Sequence, residues 1–532
     1  MPTITQGCFA ALLLATSALP ARAQAPGDVA AAPPAHVDYY RGNIGHTGVA
    51  TERLAAPLSL LWRHTSGAAR GNPASPVFAG GTVFYASGGS LLALNAGDGT
   101  TKWQYPAGGK AMTFFGATPA LAGGALYVTD DSGQAYRIDA ATGKAVWTAK
   151  IGGALRSAPV VSGNAVLFGS GNNHCYALDT GTGQVLWDQA TDGAVTTSPT
   201  VTGGLAVFSS SDNSVYSLSL RTGRKAWSVA FDADPSLSPV VYDGSTLFVT
   251  AGDTVYGLNP SNGTRRSAFK LPAPLSAPPT VSADGVYAIT QTNTLFGLTS
   301  GGRERWRATL DSAVSAPPLL AGGLLLVPTQ PNVLSGYDAN SGALTWRYVF
   351  QSTATDSQPK AGSVGVFSAP IVAEGTLYVV SDDGSLSAFR QDAPDDIGPQ
   401  ATQLTPAAGA SVSATNLTYG AVIVDDGSGI NPATVSLSVD GQPDAQARYQ
   451  ASLNAVFNTP KTPLKDGAHE LTVKATDWRG NATTQSWSFT VGSDAGAGAG
   501  GQPGFNPNDP NYPGRGGNNP QAPPPPPPIT PF

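Results

Sequence analysis

The residues of this chain that could do chemistry are few and poorly arranged for it. The five histidines, His36, His46, His64, His174 and His469, show no metal-ligand spacing such as His-x3-His. No Gly-x-Ser-x-Gly elbow supplies a nucleophilic serine. The glycine-rich runs separate strand patterns and do not lead from a strand into a helix, so they are turns and not phosphate loops. Of the two cysteines, Cys8 precedes an apolar leader and is expected to leave with it. Cys175 then has no disulfide partner and reads as a core thiol. Asp425, Asp426 and Asp477 fall in two turn-like segments and could join in a calcium site, although turn formation is the commoner use of aspartate. No catalytic, cofactor-binding or metal-ligating residue is assigned on these grounds.

A second kind of chemistry is recognition. Most connections from a repeated tryptophan to the next repeated proline are short, as from Trp147 to Pro159, Trp187 to Pro199 and Trp227 to Pro239. Two are longer, Trp103 to Pro119 and Trp346 to Pro370, and both belong to one class of loop. They carry Lys110, Met112, Phe114, Phe115, Tyr348, Phe350 and Lys360. Aromatic and apolar residues on extended loops form a candidate protein-binding patch, the competing expectation being that Phe114 and Phe115 extend a strand and pack inside.

The elements that must position these residues are set by repeats. Trp62, Trp103, Trp147, Trp187, Trp227, Trp306 and Trp346 recur about every forty residues, with one double gap. In that gap Ser267 stands where tryptophan is expected, and Phe269, on the same strand face, is expected to fill the space. Eight prolines, Pro76, Pro119, Pro159, Pro199, Pro239, Pro278, Pro317 and Pro370, run in step, each after Ser, Thr or Ala. Between them lie apolar strands and a run such as Asp139-Ala-Ala-Thr-Gly143-Lys-Ala-Val-Trp147, a tight turn whose glycine takes positive φ at no steric cost. Four short strands per repeat at this period predict an all-β, eight-bladed β-propeller, with seven blades as the alternative if the Ser267 copy is not a blade. The tryptophans are its blade anchors, each packing on the neighbouring blade. The last copy stops after Phe389 without a tryptophan strand, so the strand around Trp62 is expected to complete it and leave no open edge.

These repeats, with Ala177-Leu178-Asp179-Thr-Gly-Thr-Gly183-Gln-Val-Leu-Trp187 as the clearest copy, resemble the PQQ-like (pyrroloquinoline-quinone-type) propeller superfamily. The lead-in Asp38-Tyr-Tyr-Arg41-Gly42-Asn43-Ile-Gly-His-Thr47-Gly48 also resembles the segment before its first blade. The resemblance covers about residues 38 to 390. It implies the fold, and either a quinone-dependent dehydrogenase or a cofactor-free scaffold like the lipoprotein of outer-membrane barrel assembly. The dehydrogenases commonly use a vicinal cysteine pair and a calcium cluster on long loops. No Cys-Cys and no Cys-x-x-Cys-His occurs here, so PQQ with calcium is not expected. The lipid-anchor cysteine of the assembly lipoprotein is missing too.

The remaining segments bound where such a molecule works. Residues 1–23 read as a signal peptide ending Ala21-Arg22-Ala23, followed by a lead-in at 24–56 and the propeller at 57–394. Residues 395–493 alternate apolar and polar in runs such as Val435–Val439 and Trp487–Val491, predicting an Ig-like β-sandwich. Residues 494–532, rich in Gly and Pro, predict a disordered tail. A net charge of −6 with Lys and Arg scattered along the chain makes nucleic acid an unexpected partner. The expectation is a periplasmic, envelope or secreted monomer without a membrane span, acting as a non-enzymatic scaffold for an envelope or secreted protein. A quinone dehydrogenase and a cell-wall polysaccharide binder using Trp478 and Trp487 are the alternatives.

Overall fold

The computed structural model describes residues 36–66, 74–107, 114–235, 238–350, 368–381 and 383–492. The expected leader, residues 24–35 of the lead-in and the tail lie outside them. Eight four-stranded antiparallel patterns succeed one another along the chain. Blade three shows the plan: Val160–Ser162, Ala165–Gly169, His174–Asp179 and Val185–Ala190, running from the central axis to the rim. The two middle strands are almost wholly buried, and the outer strand buries only one side. This follows from blade stacking, which covers both faces of the middle strands, so they read as continuous apolar runs.

Each outer strand sends its anchor into the next blade. The indole Nε1 of Trp62, Trp103, Trp147, Trp187, Trp227 and Trp306 donates to a carbonyl in the following blade's turn, at Ala96, Ala140, Thr180, Leu220, Pro260 and Ala339. The turn glycine lies on the indole face: a Cβ on Gly143 (φ +68°) would stand 2.6 Å from the Trp103 ring. In the fifth blade Ser267 is exposed and Phe269 takes the anchor's place beneath Gly302. The eighth blade, Ile371–Ala373, Thr376–Val380 and Leu386–Arg390, is completed by Ser59–His64, which pairs Ser59 with Arg390 and His64 with Leu386. The ring is thereby closed by strands from both of its ends.

Residues 36–54 make a circuit of the axis. His36–Val37 pairs with blade one's inner strand, and the Asp38 carbonyl accepts from Leu121 in blade two. Tyr39 donates its hydroxyl to Val161 in blade three, and His46 Nε2 lies 2.8 Å from the Pro199 carbonyl in blade four. Gly45, Thr47 and Gly48 accept from Tyr242, Val281 and Leu320 in blades five, six and seven, and Glu52 accepts from Glu374 and Gly375 in blade eight. One segment thus ties all eight blades.

Beyond residue 395 two sheets pack face to face over Tyr419, Ile423, Leu437, Leu471, Trp487 and Phe489. The long hairpin Gly467–Thr476 and Ala482–Val491 dominates one of them. Among the described residues no helix is long and apolar enough to cross a membrane.

Candidate functional site

In seven of the eight blades the small residue before the repeated proline lines the central channel, and in blade five Pro239 itself does. Ser75, Thr118, Ala158, Ser198, Ala277, Ala316 and Ala369, each immediately before its blade's proline, form the wall of an open cavity of about 500 Å³, with Tyr40 of the lead-in also lining it. The lining hydroxyls of Ser276 and Ser368 bond to carbonyls of their own blades, at Ile289 (3.2 Å) and Val380 (3.1 Å), and other buried hydroxyls, outside the lining, join neighbouring blades. Ser157 Oγ donates to the Thr197 carbonyl (2.8 Å), Ser209 Oγ to that of Ser238 (3.1 Å) and Thr280 Oγ1 to that of Pro318 (2.7 Å). Of the residues lining the cavity, Arg156 and Tyr40 are the ionisable ones, and Arg156 is paired with Asp131 at 3.2 Å. Arg41, beside Tyr40, is buried and donates to Pro279 (2.9 Å) and Thr280 (3.1 Å); burial brings its guanidinium down to about 10.

This lining does not fit a quinone held with calcium. Among the described residues it contains no carboxylate to bind a hard cation or abstract a proton, and no thiol. Cys175, as expected, is fully buried, in the core of blade three, and burial pushes its thiol well above the usual range.

A second locus joins the sandwich to the ring. Blade eight has no turn to cover Trp346, because its outer strand comes from the N-terminal side. The sandwich loop at 425–430 fills that place: Trp346 Nε1 donates to Ser428 (2.9 Å) and to Leu58 (3.0 Å), and Gly429 lies against Arg347 and Tyr348. Trp478 Nε1 donates to the Arg347 carbonyl (3.0 Å), and Arg479 reaches Ser59 Oγ and the Gln391 carbonyl. At this junction the carboxylates of Asp395, Asp425 and Asp477 each bring an oxygen within 4.8 Å of the others, an arrangement able to contribute three ligands to a hard cation. Asp426, expected in this group, is exposed outside it; Asp395 from the connecting segment takes its place. Burial, followed by repulsion from Asp395, Asp477 and Asp426, pushes the Asp425 carboxyl up to about 7 against the lowering effect of the Gly429 amide.

Of the residues anticipated as a recognition patch, Phe114, Phe115, Tyr348 and Phe350 are described. Tyr348 and Phe350 are buried with Trp346 and Phe389, because the residues after Trp346 finish an outer strand whose exposed side the sandwich covers. Phe115 is buried against Tyr136, and Phe114 is half-buried. Lys110, Met112 and Lys360 lie outside the described residues. The tryptophans considered for glycan stacking are also engaged: Trp487 is core, donating to Pro406, and Trp478 packs on the propeller.

A family model described as outer membrane protein assembly factor BamB matches in overlapping segments from residue 55 to 451. Among solved structures, BamB from Moraxella catarrhalis is 16% identical, with TM-score 0.52 over 63% of this chain and 99% of that one. A quinohemoprotein alcohol dehydrogenase from Comamonas testosteroni is 15% identical, with TM-score 0.57 over 69% of this chain and 82% of that one. Among curated proteins, tetrathionate hydrolase of Acidithiobacillus ferrooxidans is 38% identical over 63 residues, 12% of each chain. The serine/threonine-protein kinase AfsK of Streptomyces griseus is 38% identical over 69 residues, 13% of this chain and 9% of that one. The chain thus spans about a tenth of the length of these curated relatives, and the structural likenesses establish the fold alone.

Proposed function

The chain belongs to the family of the outer membrane protein assembly factor BamB, and from that premise we propose that it is a non-enzymatic propeller scaffold of the cell envelope that holds a protein partner. The observation that carries this reading is the channel lining, which among the described residues offers no carboxylate, imidazole or thiol. General acid–base and nucleophilic chemistry both need such groups within hydrogen-bond reach of a substrate. The ring itself is rigid, tied by the lead-in, the anchors and the closing strand, which suits a body that presents surfaces. The apolar leader at residues 9–20 supports placement in the envelope.

Photo-crosslinking in native envelopes from positions around the open face, paired with calorimetric titration of pyrroloquinoline quinone with and without calcium, tests the reading. A discrete protein adduct and no saturable quinone binding are expected. Micromolar quinone binding would replace the scaffold reading with a dehydrogenase, and absence of any adduct from all positions would refute it.

A further inference from the structure

Three consecutive blades differ from their neighbours at the turn into the outer strand. In blades two, three and seven that turn opens with Asp139, Asp179 and Asp338, whose carboxylates accept from the amides of Thr142, Thr182 and Ser341. In blades four, five and six the position is Ser219, Asn259 and Thr299. The turn survives: the Ser219 carbonyl accepts from Gly223, Asn259 Oδ1 from Ser261 and Thr299 Oγ1 from Arg303. The fold therefore does not need the carboxylate; blade one also lacks it, with Asn95 there, but keeps Asp98 in the same turn, whereas the turns at 219–224, 259–264 and 299–303 hold no carboxylate.

The same hairpins gain cations. Arg221, Arg224, Lys225, Arg265, Arg266 and Arg303 are all exposed, as is Arg305. Carboxylates cancel two further cations of these blades, Arg307 by Glu304 (2.7 Å) and Lys270 by Asp253 (3.0 Å). Asp243 and Asp284 lie on the turns between first and second strands, and Asp243 is occupied by Ser245 and Thr246. Several guanidinium groups are held in place: Arg265 lies 4.8 Å over Tyr256 and donates to Ala230, Arg305 lies 5.6 Å over Tyr287, and Arg266 donates to Ser245. A guanidinium has five donors, so each keeps most of them for a ligand while losing little further freedom.

We propose that the outer rim of blades four to six binds a linear anionic glycan, laid along the three outer hairpins. A flat anionic bilayer against this side would also meet Asp98, Asp139, Asp179 and Asp338 on other blades, whereas a narrow polymer meets only the basic sector. Single-stranded nucleic acid relies on free aromatic faces for base stacking, and here Tyr256 and Tyr287 carry guanidinium groups on theirs. The inference is independent of the protein-scaffold reading.

The test is titration of the full chain with heparin and with polygalacturonate at rising salt. Saturable binding that weakens with salt is expected. The Arg221→Gln/Arg224→Gln/Lys225→Gln/Arg303→Gln variant should lose on the order of tenfold in affinity, and a Lys102→Gln/Lys144→Gln/Lys150→Gln control should stay within about twofold of the parent. Thermal melts verify that both fold, and Arg224→Glu alone serves if the fourfold variant does not. Equal losses in variant and control, no binding at low salt, or equally tight binding of oligothymidylate or phosphatidylglycerol vesicles would overturn the proposal.

Discussion

Replacing Asp425 with asparagine is expected to stabilise the folded chain near pH 8 while leaving it almost unchanged near pH 4, taking those values as about one unit above the folded carboxyl and close to the free one. The folded environment raises this carboxyl from 3.8 to about 7. Below the lower value both folded and unfolded chains are protonated, and the group has no effect on stability. Between the two, the unfolded chain ionises while the folded chain keeps its proton, so stability falls as pH rises; above about 7 the loss is complete. Roughly three units at about 1.4 kcal/mol each set a ceiling of about 4 kcal/mol. Relaxation and water penetration lower such burial penalties, so about half of that is the expected gain. Asparagine can still accept the hydrogen bond that Asp425 Oδ2 takes from the Gly429 amide (2.5 Å). The assay is thermal unfolding of both proteins across this pH range in the presence of a chelator. A variant no more stable than the parent at high pH, or a difference that does not change with pH, would refute the reasoning.

Trp346→Phe should cost about 1–3 kcal/mol beyond the lost apolar contact, because the carbonyls of Leu58 and Ser428 lose a buried donor. Trp147→Phe, at a half-exposed anchor with one acceptor, should cost clearly less, and equal shifts in unfolding midpoint would contradict the role given to Trp346. Gly183→Ala combines positive φ (+73°) with a Cβ placed 2.8 Å from the Trp147 ring, and should destabilise by about 1–3 kcal/mol. Gly163→Ala (φ +59°), with open space around it, carries the backbone penalty alone, and melts of the two variants separate strain from contact.

The ring was readable in the sequence because each blade repeats two constraints, a proline at the channel and a tryptophan that must meet the next blade's glycine. Even the blade lacking its tryptophan could be placed, since Phe269 sits at a distance that keeps it on the same strand face. The closing strand was implied by what the last repeat lacks. Loop length was a poor guide by comparison. The spacing after Trp346 predicts an extended loop, yet Tyr348 lies in the strand Leu344–Val349 and Phe350 directly follows that strand, and both are buried under contacts made by a module eighty residues further on. Asp395 carried no local signal, because its partners Asp425 and Asp477 come from separate turns of the sandwich. The basic rim leaves no local signal for a different reason. Its residues are about forty apart in sequence, and only the stacking of successive blades brings them to one sector.

The handover of Trp346 from a blade turn to the sandwich has a consequence for how the chain is made. Ser59–His64 emerges early, yet its partner Leu386–Arg390 follows more than three hundred residues later, and the loop that caps Trp346 later still. At ordinary elongation rates of about 5–20 residues per second, that first strand waits tens of seconds for its neighbour. The stretch from Leu386 to the loop at 425–430 thus acts as a clasp: a chain ended before it leaves an open ring with an unpaired strand edge, a form that aggregation and proteolysis would find before any partner did.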